Sequence, residues 1–158
     1  MRQQHVAEWM STPPVVIAPS TSIEAAQLLM RQRHVRRLPV VEDGRLIGII
    51  TLGDLRAAQP SAATTLSIHE WRALLDKVTV AACMTRDPLT VAPDASVLEA
   101  AQLILDHQVS GLPVVADGGV VGMITESDLF QLLSKTNAGK QVRREPARTN
   151  LDAQPAIP

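Results

Sequence analysis

Two short stretches pair a hydroxyl with a carboxylate at the same spacing: Thr51-Leu52-Gly53-Asp54 and Thr125-Glu126-Ser127-Asp128. In each, a glycine opens a short apolar run, Gly48-Ile49-Ile50 or Gly122-Met123-Ile124, and the threonine closes it. A Thr-x-x-Asp ahead of an apolar segment can act as a capping box, the hydroxyl accepting from a first-turn amide while the carboxylate reaches back. The carboxylate has a second possible chemistry, because its two oxygens can accept from a vicinal diol. The free amides and dipole of a helix start also favour an anionic phosphate. Capping and ligand binding are compatible, and one copy alone reads as a cap.

The recurrence changes the weight of that reading. Gly48 and Gly122 lie 74 residues apart, and the same offset relates Met10 to Met84, Pro19 to Pro93, Ser22 to Ser96, Pro39 to Pro113 and Asp54 to Asp128. Met10–Leu55 set against Met84–Leu129 without a gap gives 19 identities in 46 positions. The chain therefore holds two homologous halves, each with Thr-x-x-Asp at the same place.

The elements that must position these residues follow from local pattern. Val6 to Met10 and Val80 to Met84 read as short apolar turns. Val15-Val16-Ile17 and Leu89-Thr90-Val91, bounded by prolines, read as short strands. Thr21-x-x-Glu24 and Ser96-x-x-Glu99 are capping-box candidates for helices whose apolar positions follow the 3.6-residue period. Leu38-Pro39-Val40-Val41 and Leu112-Pro113-Val114-Val115 read as buried strands. Asp43-Gly44 and Asp117-Gly118 then make tight hairpin turns into Leu46 to Ile50 and Val120 to Ile124. The predicted fold is α/β (α+β): two repeats related by a pseudo-twofold axis, each a small sheet of about three strands packed with helices. The expected organisation is repeat 1 over 1–58, a loop and short helix over 59–79, repeat 2 over 80–134 and a polar, mobile tail over 135–158. Ser67-x-x-Glu70 caps the short inter-repeat helix, where Trp71 packs against the module or meets a partner.

Composition narrows the function classes. The 158 residues are 46% hydrophobic but 2% aromatic, with no Tyr, so the core is aliphatic and base-stacking platforms are lacking. A net charge of −1 with no long basic run speaks against nucleic acid as the principal partner. No apolar run approaches the roughly 18 residues of a membrane span and no signal-peptide core is visible, so a cytoplasmic protein is expected. Cys83 is the sole cysteine and reads as a small buried hydrophobe. His5, His34, His69 and His107 lack metal-ligand spacing, so no metal site is expected. No nucleophile and base recur at site-like spacing, and no enzyme is expected.

The doubled Leu-Pro-Val-Val, Asp-Gly and Gly-h-h-Thr-x-x-Asp, each preceded by Met and a proline-bounded segment, resembles the CBS (cystathionine β-synthase) domain in its tandem form over residues 6–134. The spacer with Pro60, Ser67-Ile68-His69-Glu70 and Leu74-Leu75 is similar to pairs of the acetoin-utilisation type. Members of that group often continue into a small regulatory domain, which this chain is expected to lack. The resemblance implies a sensor of adenosine nucleotides (AMP, ADP or ATP) or S-adenosylmethionine, forming a homodimer and regulating an unidentified protein. It places the ribose on Asp54 or Asp128, and the ribose or phosphate near Thr51 or Thr125. Adenine would lie against Ile17, Ala18 and Val35 in one half and Val91, Ala92 and Val109 in the other. Before Leu-Pro the halves differ, Arg36-Arg37 against Ser110-Gly111, and the resemblance implies that the arginines meet a phosphate in the Asp128 cleft. The competing reading is a dimerisation module in which both Thr-x-x-Asp copies are caps only.

Overall fold

A computed structural model describes residues 4–59 and 65–136 of the chain. The tail expected over 135–158 and the loop expected at Gln59–Thr65 lie largely outside the described residues.

In the first half, α1 (Ile23–Arg33) leads into a hairpin of β1 (Arg37–Glu42) and β2 (Arg45–Thr51), followed by α2 (Leu52–Ala57). A linking helix α3 (Ile68–Leu75) and the short α4 (Val80–Cys83) precede β3 (Thr85–Arg86). The second half repeats the plan with α5 (Val97–His107), β4 (Gly111–Ala116), β5 (Gly119–Thr125) and α6 (Glu126–Thr136). Both hairpins turn on Asp-Gly with positive φ at each residue, 49° and 75° at Asp43-Gly44 and 52° and 79° at Asp117-Gly118. Both φ signs match the turn whose twist suits paired strands. Each hairpin also carries the same register shift, between Val40 and Val41 and between Val114 and Val115.

Three local expectations change. The cap of α1 is Ser22, accepting from Ala25 N at 3.1 Å, and not Thr21. The helix must begin at Ile23 to bury Ile23, Ala26 and Met30, and the Thr21 carbonyl is already taken by Val80 N at 2.8 Å. The segments at Val15–Ile17 and Leu89–Val91 are not strands but single bridges, Ile17 beside Val40 and Val91 beside Val114. Prolines on both sides leave too few donors to extend the ladder. Cys83 is half-buried at the edge of the first core.

The two small sheets, as expected packed with helices, are unequal: one has the order β1-β2-β3 and the other is β4-β5 alone. The cause is an exchange of leading segments. Strand β3 belongs to the second repeat in sequence but pairs with β2 of the first, Thr85 opposite Ile49. Its counterpart, Ser11, makes a single bridge to Met123 of β5, with hydrogen bonds of 2.8 and 3.0 Å. The side chains follow the backbone, so Val80 is fully buried in the first core with Leu38, Val40 and Ile50, while Val6 is fully buried in the second with Leu112, Val114 and Ile124. Trp9 and Met10 pack on that second core, and the Lys135 ammonium lies 5.0 Å from the Trp9 ring centre, a cation–π contact tying α6 to the leading segment.

Gly48 and Gly122 make the exchange possible. A Cβ on Gly48 would lie 2.6 Å from Met84 Sδ and 2.9 Å from the Thr85 carbonyl; on Gly122 it would lie 2.6 Å from Met10 Sδ and 2.9 Å from the Ser11 carbonyl. The glycine that opens each Thr-x-x-Asp strand is thus the seat of the other half's methionine.

Candidate functional site

Strands β2 and β5 deliver the two Thr-x-x-Asp motifs to helix starts. Thr51 caps α2: its N–H and hydroxyl donate to Asp54 Oδ2 at 2.8 and 2.9 Å, and Asp54 N donates to Thr51 Oγ1 at 3.2 Å. In the second copy Thr125 N and Oγ1 donate to Asp128 Oδ2 at the same 2.8 and 2.9 Å. Each carboxylate therefore spends one oxygen on the cap. Oδ1, with two lone pairs, takes no part in the cap.

The Asp128 motif opens onto a cleft of about 520 Å³ between the halves, within the range of small-molecule sites. The second half supplies Ser110, Met123, Thr125 and the first turn of α6, Glu126, Ser127 and Asp128; the first half supplies Ser11, His34, Val35, Arg36 and Arg37. The two arginines have different environments. Arg36 is exposed and free to turn to a ligand. Arg37 is half-buried, donates from Nη1 to the Ser110 carbonyl at 2.9 Å and from Nη2 to the Ser110 hydroxyl, and so bridges the halves. Gly111 makes that bridge possible, since a Cβ there would lie 2.6 Å from Arg37 Nη1. Burial pulls the Arg37 guanidinium below its ordinary pKa, opposed by Glu126 and Asp128 and reinforced by Arg36. It stays charged at neutral pH and keeps three N–H donors beyond the two given to Ser110.

Of the residues singled out in the sequence, Val35, Arg36, Arg37, Ser110, Thr125 and Asp128 are brought together here, with Gly111 beneath them. Thr51 and Asp54 lie at the equivalent place in the other half, outside this cleft. Ile17 and Val91 are buried in the two cores, Val109 packs on the second core, and Ala18 and Ala92 are exposed; none of these five lines the cleft. Sequence reasoning missed Ser11, His34, Met123, Glu126 and Ser127. Glu126 and Ser127 are the x positions of the second motif and could have been found from it. Ser11 arrives only through the exchange, and His34 through the left-handed cap that ends α1, at φ 54°. Among the described residues no cluster of His, Cys, Asp or Glu could hold a metal ion. No described helix is long and apolar enough to cross a membrane.

The family model for the CBS domain matches twice, over residues 6–61 and 80–135. The chain belongs to the CBS domain family. As a CBS pair it is 36% identical over 132 residues to a CBS domain-containing protein of Dictyostelium discoideum, covering 82% of this chain and 91% of that one. It is 29% identical over 150 residues to YhcV of Bacillus subtilis, another CBS domain-containing protein, covering 94% and 96%. Against the inosine-5'-monophosphate dehydrogenase of Korarchaeum cryptofilum it is 30% identical over 117 residues, 73% of this chain, and spans only 21% of the enzyme's length. Among solved structures, the CBS pair of protein MJ0100, in complex with 5'-methylthioadenosine and S-adenosyl-L-methionine, superposes with a TM-score of 0.72 at 28% identity, covering 85% of this chain and 99% of that one. A Vibrio cholerae protein ascribed to acetoin utilization (AcuB) gives 0.71 at 28%, covering 89% and 100%. CBSX2 in complex with AMP gives 0.68 at 30%, covering 85% and 98%.

Proposed function

We propose that this CBS pair is a regulatory module, not an enzyme, that binds an adenosine nucleotide in the Asp128 cleft and works as a cytoplasmic homodimer acting on another protein. The observation that carries the reading is the convergence, in one cleft, of a carboxylate with a free oxygen and an exposed arginine from the opposite half. Asp128 Oδ1 takes the ribose diol, Val35 and Met123 offer apolar contact to adenine, and Arg36 takes the phosphate, with the unused donors of Arg37 beside it. Structures of similar CBS pairs with AMP and with S-adenosyl-L-methionine support an adenosyl ligand.

The reading favours AMP over uncharged adenosine, because a charge-assisted hydrogen bond to phosphate contributes about 1.5–3 kcal/mol. Calorimetry on the wild-type chain and on Arg36→Ala tests it. The variant is expected to lose about tenfold or more of its AMP affinity, keep its adenosine affinity, and show a flatter salt dependence. Equal losses for both ligands would make Arg36 a shaping residue, and no binding of AMP by the wild type would leave the caps-only reading standing.

A further inference from the structure

The Asp128 cleft holds two acidic side chains, and only one of them builds the helix start. Asp128 closes the cap through Oδ2. Glu126, the first residue of α6, stands outside the cap with its side chain exposed at the cleft. The backbone there follows one plan in both halves: Glu126 N donates to the Ser110 carbonyl at 3.1 Å, as Leu52 N donates to the Arg36 carbonyl at 2.8 Å. The side chains do not follow it. Leu52 packs on the first core, so α2 starts with no carboxylate at this place, and complementing the helix dipole is not what the position demands. Burial lowers the Arg37 pKa, and Glu126 opposes that more than Asp128 does, which puts the Glu126 carboxylate on the arginine side of the cleft.

We infer that Glu126 sets the length of phosphate chain the cleft accepts, admitting a nucleoside monophosphate and turning away the metal-free di- and triphosphate. The inference rests on the nucleotide site proposed above and names its ligand class. Arg36 and Arg37 bring two positive charges to the cleft, Glu126 and Asp128 bring two negative ones, and His34 completes its titratable groups among the described residues. Several donors are already committed: Glu126 N and Arg37 Nη1 both give to the Ser110 carbonyl, and Thr125 N gives to Asp128 Oδ2. Arg36 and the spare donors of Arg37 remain, a set that suits the terminal oxygens of one phosphate. Each further phosphate adds negative charge where the described lining offers no third arginine or lysine and one carboxylate stands outside the cap. At an effective dielectric between about 20 and 80, two like charges about 6 Å apart shift an equilibrium by about threefold to 100-fold.

The test is calorimetry with AMP, ADP and ATP in EDTA at pH 8, above the ordinary histidine range, on the full chain and on Glu126→Gln and Glu126→Asp. The wild type is expected to bind AMP about tenfold or more tighter than ATP, with ADP between them. Glu126→Gln should bind all three more tightly, by about threefold for AMP and about 30-fold for ATP, so that the preference narrows. Glu126→Asp, which keeps the charge, should keep most of the preference. Raising salt from about 50 to 500 mM should narrow the wild-type preference as well, a readout that needs no variant. A wild type that binds ATP as tightly as AMP overturns the inference and leaves the nucleotide site standing, whereas one that binds none of the three overturns both. Equal losses for all three ligands in Glu126→Gln would make Glu126 a shaping residue and overturn the inference. So would ATP binding that needs Mg²⁺ and disappears in Glu126→Gln, since the carboxylate would then anchor a metal for the longer chain.

Discussion

The first and second halves place the same hydroxyl, carboxylate and hairpin in the same order, yet they differ where each meets something outside itself. The segment before Leu-Pro is Arg36-Arg37 in one and Ser110-Gly111 in the other. These are two sides of a single arrangement, because Arg37 reaches across to Ser110 and needs the missing side chain of Gly111 to do so. Duplication keeps apolar residues in the core, where Ile17, Ile23 and Met30 answer to Val91, Val97 and Ile104, while the change from charged to small falls at the seam.

The largest expected effect would break the apparent equivalence of the two aspartates. Asp128→Ala should lower AMP affinity by about tenfold to 100-fold, the range of lost charge-assisted hydrogen bonds, while Asp54→Ala leaves that site nearly untouched. Both variants should stay folded, since a lost cap costs about 0.5–2 kcal/mol. Equal losses by calorimetry would mean that both clefts bind alike. Next comes a place where the halves should agree. Gly48→Ala and Gly122→Ala each push a Cβ into a methionine and a carbonyl of the exchanged segment. Each should cost about 1–3 kcal/mol by overpacking, read by denaturant unfolding, and a difference of more than that spread between them would show that the two exchanges are unequal.

Smaller effects sharpen the asymmetry. Arg37→Ala removes two hydrogen bonds across the seam and should cost about 1–2 kcal/mol of stability, whereas Arg36→Ala should leave the melting profile unchanged. The smallest effect concerns the helix caps. Ser96 and Glu99 close a full capping box on α5, but α1 has Ala25 at the equivalent of Glu99. Hydrogen bonds from the Ser96 backbone and side chain hold the Glu99 carboxyl below its ordinary pKa. A carboxylate with a lowered folded-state pKa stabilises fully above its unfolded value, near 4.3, and this is lost as pH falls through the lower folded value. Glu99→Gln should therefore narrow the gap in melting temperature between neutral and acidic solution, and an unchanged gap would remove Glu99 from the acid response.

Much of this was legible before any coordinates. The hairpins, the Thr-x-x-Asp caps and both Leu-Pro strands came from local signals: Asp-Gly at a turn, apolar runs, a hydroxyl three residues before a carboxylate. The cap at Ser22 rather than Thr21 was misread because either residue can cap. The burial of Ile23 and the engagement of the Thr21 carbonyl decide between them, and both depend on tertiary contact. The proline-bounded segments looked like strands because Val and Ile favour that geometry, but a ladder needs donors that prolines lack. The exchange was invisible because Val6 and Val80 look like ordinary apolar residues at the head of each repeat. For the same reason the sequence could pair Arg36 with Arg37 but could not say that one is tethered and the other free.

That exchange also has a bearing on how the chain is made. Synthesis delivers the first repeat with its helices, hairpin and Thr51 complete, yet without Val80, whose side chain closes its core. At translation rates of about 5–20 residues per second, the missing segment follows only seconds later. Val6 has the opposite history: it is among the first residues made, and its place beside Leu112 and Ile124 does not exist until the end of β5 has been added. The first core can therefore close as soon as α4 has emerged, whereas the second joins one of the earliest segments to one of the last and closes only after β5.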